Sequence, residues 1–369
     1  MNALTFIIIC LLLLKGSYLE VVSPALYSLL NVLTFVAITF FLFLLIINKN
    51  IKVKLTNLLI LLSLFFCMLV SSFYNFESIK SGGWNALMTI FVLFILSSIK
   101  KGSDGFNLYK IEKIYLFITI TFLTISYILY ILGAQFATSH TQYILSGPYL
   151  NQNTMSVNLF CLSIIGCLIV NEKNKYYLIP LIIIIFISIF LTMSRAGILF
   201  SIFVSLIFFG KNRFIIFLPF LPFLPAIGLY FLPTDFYSRF ESKALEAGSS
   251  GRLEFVNQVF LDKSDNIGSL LFGIGVNNTT FELHGDTLSA HNSYISYFSD
   301  FGLLCFSLLF IYIILILRNV ERKSMLYMIF LLGYAFFETT LFKGLSLSFF
   351  LFCLLANNEY KKTYTNNSI

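Results

Sequence analysis

The chain has 369 residues, 58% of them hydrophobic and only 11% charged, with a net charge of +7. Soluble domains carry about 25% charged residues, so a soluble globular enzyme is excluded. The lack of alternating segments of about 10 residues excludes a membrane β-barrel. The positive balance does not signal nucleic acid, because the lysines cluster at the ends of apolar runs.

In chain order, the sequence predicts an all-α polytopic membrane protein with about twelve transmembrane helices, since a hydrocarbon core of ~30 Å takes about 20 apolar residues as helix. The first six spans are Ala3–Leu14, Leu26–Ile47, Leu55–Phe73, Trp84–Ile99, Ile114–Leu132 and Met155–Val170. Tyr176–Met193, Ala196–Phe209, Phe214–Leu232, Tyr294–Leu317, Met325–Thr340 and Leu345–Leu355 follow. Ala3–Leu14 lacks a basic n-region and an obvious cleavage site, so it reads as a first membrane helix rather than a signal peptide. Pro219, Pro222 and Pro225 either kink the ninth span or are simply tolerated in it. All six cysteines lie inside apolar runs without disulfide or zinc spacing, and read as small packing residues.

Charge placement gives the orientation. With the N-terminus in the cytoplasm and strict alternation, 16 of the 24 basic residues fall in cytoplasmic segments. They include Lys52, Lys100, Lys101, Lys173, Arg318, Arg322 and Lys323. One missed helix would reverse the bias, so an even count with both termini inside is expected. Residues 1–369 then form a single membrane domain with one large outer loop, 233–293, carrying 12 of the 41 charged residues.

Three outer stretches resist the membrane. Ser146–Ser156 places Gly147 and Pro148 in a turn, then Asn151 and Asn153 at the start of a span. There they either cap the helix or offer amides at the surface. Between Tyr176 and Phe209 the chain is apolar except around Leu191–Ile198. One helix of that length would reach ~51 Å, so two short crossings are expected, with a recessed turn holding Arg195. That arginine either lines a wet cavity or snorkels to headgroups. In the long loop, Gly251 and Glu254 mark a helix start with Arg252 in its first turn and an apolar stripe at Leu253, Val256, Val259 and Phe260. Arg252 there is either an anion ligand or a solvated charge on an amphipathic helix. Gly273-Ile-Gly275 reads as a turn. His291 stands at the mouth of the tenth span as a general base or as a helix cap. On a helix continuing through it, Ile295 and Phe298 share its face and Asp300 falls opposite. No His, Asp or Glu group has metal-ligand spacing, so no metal site is predicted.

In order and placement, Gly147–Asn153, Leu191–Gly197, Gly251–Glu254, Gly273–Gly275, His291–Tyr294 and Asp300–Gly302 resemble the O-antigen ligase/polymerase family of bacterial membrane glycosyltransferases. About 150 residues of the second half carry the resemblance. Asp300 stands where the family often has glutamate, and Phe255 where a tryptophan is often near. The resemblance implies a C-type glycosyltransferase-like fold whose outer loop carries short helices. It also implies an inner-membrane location with the active site on the periplasmic face. The donor is a polyprenyl-pyrophosphate-linked glycan and the acceptor a glycan hydroxyl. No metal, nucleotide or cofactor takes part, and membrane lipid, a flippase and a chain-length regulator are partners. By the same resemblance Arg195 and Arg252 hold the pyrophosphate, His291 takes the acceptor's proton, and Asn151, Asn153 and Asn292 bind substrate. A polysaccharide polymerase is the first expectation, and a ligase using lipid A–core as acceptor the second. A transporter or flippase is a third reading, though its charges belong along the midplane. A structural partner of an export complex is a fourth.

Overall fold

The structure is a computed structural model. It describes residues 2–15, 17–47, 51–52, 55–74, 84–98, 100–101, 112–133, 144–173, 176–210, 266–275, 280–283, 286–289, 292–338, 341–342 and 345–357. The chain is an all-α, membrane-associated protein built from many apolar helices packed tightly together. The helices are α1 (Asn2–Leu14), α2 (Leu19–Val22), α3 (Pro24–Ile47), α4 (Leu55–Tyr74), α5 (Trp84–Ser98), α6 (Glu112–Ile131) and α7 (Gln152–Lys173). They continue as α8 (Ile179–Leu191), α9 (Arg195–Gly210), α10 (Ile267–Phe272), α11 (Ser293–Asn319), α12 (Arg322–Tyr334) and α13 (Leu347–Ala356). Helices coincide with every predicted span except Phe214–Leu232, which lies outside the described residues. Among the described residues, α3, α4, α6, α7 and α11 contain spans long and apolar enough to cross a bilayer; others are shorter, down to the 10 residues of α13.

The outside of the bundle is as apolar as its inside. On α3, Thr34, Ile38 and Phe41 face the core while Leu26, Leu33, Phe40 and Ile47 are exposed. In water such a face would be a very large unpartnered patch; in lipid it is solvated. Buried hydroxyls find partners within reach. Thr34, Ser72, Ser126 and Ser188 each bond the carbonyl four residues back, which satisfies the buried hydroxyls within their own helix. Between helices, Ser97 Oγ meets Tyr312 Oη at 2.8 Å and Tyr127 Oη meets Ser188 Oγ at 2.9 Å.

Helix α7 is the axis of the bundle. Its apolar window is 89% buried, against 28% for those of α3 and α6. It packs on α6, α8, α9 and α13, while α11 lies along α4 and α13 along α5 and α12.

Helix α11 is not the single straight span that its sequence predicts. It breaks at Gly302, whose φ of 76° is left-handed. The break strips carbonyls of their helical donors, and these must be satisfied within the protein. Ile274 N–H donates to Ser299 O at 2.9 Å and Gly275 N–H to Asp300 O at 3.1 Å. Ser71 Oγ from α4 donates to Asp300 O at 3.1 Å and also to Phe272 O. The Gly273–Gly275 turn, read from sequence as a turn, is therefore the plug that fills the break. A Cβ on Gly273 would run into the backbone of Asp300 and Phe301, and one on Gly302 into that of Leu271 and Gly273.

The segment between α10 and α11 also contains a hairpin, β3 (Thr280–Leu283) with β4 (Asp286–Ser289), where only short helices were expected. The strands are antiparallel, with Thr280 opposite Ser289 and Leu283 opposite Asp286.

Candidate functional site

Three helix N-termini meet at one end of the bundle. Ser293 N–H, at the start of α11, donates to Ala335 O at 2.8 Å, and Ser293 Oγ donates to Glu338 O at 2.6 Å. Beside Ala335, Tyr334 Oη donates to Ser156 Oγ in the second turn of α7 at 3.1 Å. The same phenol lies 3.4 Å from Ser194 Oγ, the residue just before α9. Residues 144–149 close over this end: Leu145 N–H donates to Leu191 O at 3.0 Å and Tyr18 N–H to Pro148 O at 2.9 Å. Tyr149 is fully buried and donates to Leu13 O. Burial pushes its phenol pKa up, so it is a fixed donor and not a titrating group.

The basic loops lie at the other end. Running ~40 Å from Ser293, α11 ends beside Arg318, and α12 returns from Arg322 and Lys323 to Tyr334. Likewise α7 ends at Lys173. The turns before α4 and after α5 are joined there by the pairing of β1 (Ile51–Lys52) with β2 (Lys100–Lys101).

The two-helix reading of Tyr176–Phe209 is the observed one: α8 and α9 are separated by Thr192-Met193-Ser194. Thr192 and Ser194 are buried, but Arg195 itself is exposed, so the turn is recessed and the guanidinium is not an interior charge. Ser194 Oγ accepts from Gly197 N–H at 3.4 Å, an N-cap contact. Met193 has φ 54°, a left-handed conformation that costs a side-chain-bearing residue ~1–2 kcal/mol and is held by its surroundings. Gly197 lies tight against α7, where a Cβ would displace Ser156 Oγ.

The asparagines divide. Asn151 is exposed and its Oδ1 accepts from Asn153 N–H at 2.8 Å, opening α7. Asn292 Oδ1 accepts from Tyr294 N–H at 2.9 Å and Ile295 N–H at 3.1 Å, capping α11. The capping alternative thus describes Asn151, Asn292 is a cap that the sequence reading did not assign, and each keeps its NH2 as a donor. Asn153 is partly buried in the first turn of α7. Arg252 and His291 lie outside the described residues, as does the Gly251–Phe260 stripe. So does the helical face on which His291 would join Ile295 and Phe298. Asn292 is extended (φ −151°, ψ 116°) and helical rotation begins only at Ser293. Asp300 is buried beside the break of α11. Among the described residues, no three His, Cys, Asp or Glu side chains gather as a metal site requires.

The chain matches no family model, no curated protein and no solved structure.

Sequence reading missed Tyr334, Ser156, Ser71 and Glu338. Glu338 carried a signal, being a lone carboxylate in an apolar run, and it is buried within electrostatic range of Tyr334. Tyr334 and the two serines carried none, since hydroxyls are ordinary in apolar helices.

Proposed function

We propose that this chain is a polytopic inner-membrane glycosyltransferase, a polysaccharide polymerase that joins lipid-linked repeat units on the periplasmic face. It crosses the membrane about twelve times with both termini in the cytoplasm, and the 233–293 loop lies outside. The observation that carries the reading is Arg195, exposed where the N-termini of α7, α9 and α11 meet, at the end opposite the lysine-rich loops. Helix N-termini add partial positive charge to that of a guanidinium. A pyrophosphate leaving group is already anionic at neutral pH. It needs cations for the charge developing on it and no acid to protonate it. A planar guanidinium fits phosphate oxygens better than an ammonium does.

In the reaction, the acceptor hydroxyl oxygen bonds to the anomeric carbon of the donor glycan. The bond from that carbon to the pyrophosphate oxygen breaks and takes its electron pair with it. Arg195 and Arg252 hold the departing pyrophosphate, and His291 receives the hydroxyl proton. Asn151, Asn153 and Asn292 offer amide donors to the substrates. A lipid-borne donor accounts for a site at the rim of the helix bundle. The order of the motifs quoted above, similar to that of the O-antigen ligase/polymerase family, supports the same assignment.

Purified chain given a lipid-linked repeat unit alone is expected to yield a ladder of glycan lengths on gel electrophoresis. A strict requirement for lipid A–core would replace the polymerase with the ligase, and no transfer to either acceptor would sink the enzyme.

A further inference from the structure

We infer that Tyr334 is a positioning residue for Arg195: its hydroxyl ties the cap of α9 to α7 and so fixes where the guanidinium is presented. The inference rests on the reading above for what Arg195 holds. Three buried hydroxyls make the tie, Ser156, Tyr334 and Ser194. Ser194 caps the turn that Arg195 opens, so the register of that turn follows Ser194. Gly197 lets α9 lie close against Ser156 of α7 at this level.

The phenol ring is held independently of its hydroxyl. It packs against Phe160, with centroids 5.2 Å apart, and Phe200, at 5.6 Å. Phe200 in turn lies against Gly333, where a Cβ would come within 2.7 Å of its ring. An apolar trio would fill this space equally well. A satisfied buried network instead selects one geometry. The left-handed Met193 just before the cap needs such over-determination to persist.

The test is a double-mutant cycle on the purified full-length chain in lipid nanodiscs. Two quantities are read: transfer kinetics with a lipid-linked repeat unit, and the Kd of farnesyl pyrophosphate, an isoprenyl pyrophosphate without a glycan. Tyr334→Phe keeps the ring and is expected to raise the donor KM and this Kd about tenfold, with a smaller change in kcat. In an Arg195→Ala background the same substitution is expected to add nothing. Ser194→Ala carries the same test if Tyr334→Phe fails to insert. Equal losses in both backgrounds, or an unchanged Kd in Tyr334→Phe beside a weakened Arg195→Ala, overturn the positioning role alone. An unchanged Kd in Arg195→Ala overturns the pyrophosphate reading itself, and the role of Tyr334 with it.

Discussion

The chain interrupts its helices at two places near the same end of the bundle and repairs them differently. At Gly302 the orphaned carbonyls are met by backbone N–H groups of the 273–275 turn and by Ser71, and the space is filled to backbone contact. Between α8 and α9 the repair uses side chains, with hydroxyls of Ser194, Tyr334 and Ser156 beneath and an arginine facing outward. A break closed by backbone has nothing left to offer a ligand. One capped by side chains keeps a charged group at the surface and a way to aim it. On the proposed function, the first break is architecture and the second is where the chemistry would sit.

Substitution separates the two, and the largest effect belongs to the backbone repair. In an ordinary helix Gly→Ala gains ~0.5–1 kcal/mol. At Gly302 the sign reverses, because φ is left-handed and a Cβ would lie 2.6 Å from Gly273 N. Conformational strain and overpacking together make Gly302→Ala destabilising by about 3 kcal/mol, read as a lowered thermal unfolding midpoint in nanodiscs. An unchanged midpoint would mean that the turn does not plug the break. At the other interruption, Arg195→Lys keeps the charge and loses the planar fork. Turnover is expected to fall about 100-fold, the scale of removing one donor from a developing anion. The unfolding midpoint stays put, because the side chain is exposed. Near-normal turnover would return Arg195 to a surface role and erase the contrast.

What was legible in the sequence follows the same division. Helix positions came through, Phe214–Leu232 lying outside the described residues, because a helix in lipid must satisfy its own backbone and leaves an apolar run as its trace. Lys100, Lys101, Arg318 and Arg322 marked one end of the bundle by charge alone. The split of Tyr176–Phe209 was legible from length, because one helix there would be too long and flanking lysines called for an even number of crossings. The break at Gly302 was not. A glycine in an apolar run is common, and only its encounter with Gly273, far away in sequence, makes it a kink. Tyr334 was hidden for a related reason, since its meaning depends on Ser156 and Ser194, which tertiary packing alone brings to it. The β3–β4 hairpin was overlooked because strands of four residues leave a weak trace beside the helical signal around them.

The smallest effect decides the role of Asn292, whose side chain has two ends with different duties. Its Oδ1 caps α11, and loss of a cap costs about 1 kcal/mol. Asn292→Ala removes cap and amide donor together, so a loss of activity there says nothing about which mattered. Asn292→Ser separates them, because serine caps about as well as asparagine but carries no NH2. If the amide donates to substrate, Asn292→Ser keeps the wild-type unfolding midpoint and loses about fivefold in kcat/KM, the scale of one ordinary hydrogen bond. If kcat/KM holds as well, Asn292 serves α11 alone. The substrate contacts at this end would then narrow to Arg195 and the amides of α7, which places the ligand nearer the side-chain-capped interruption than the mouth of α11.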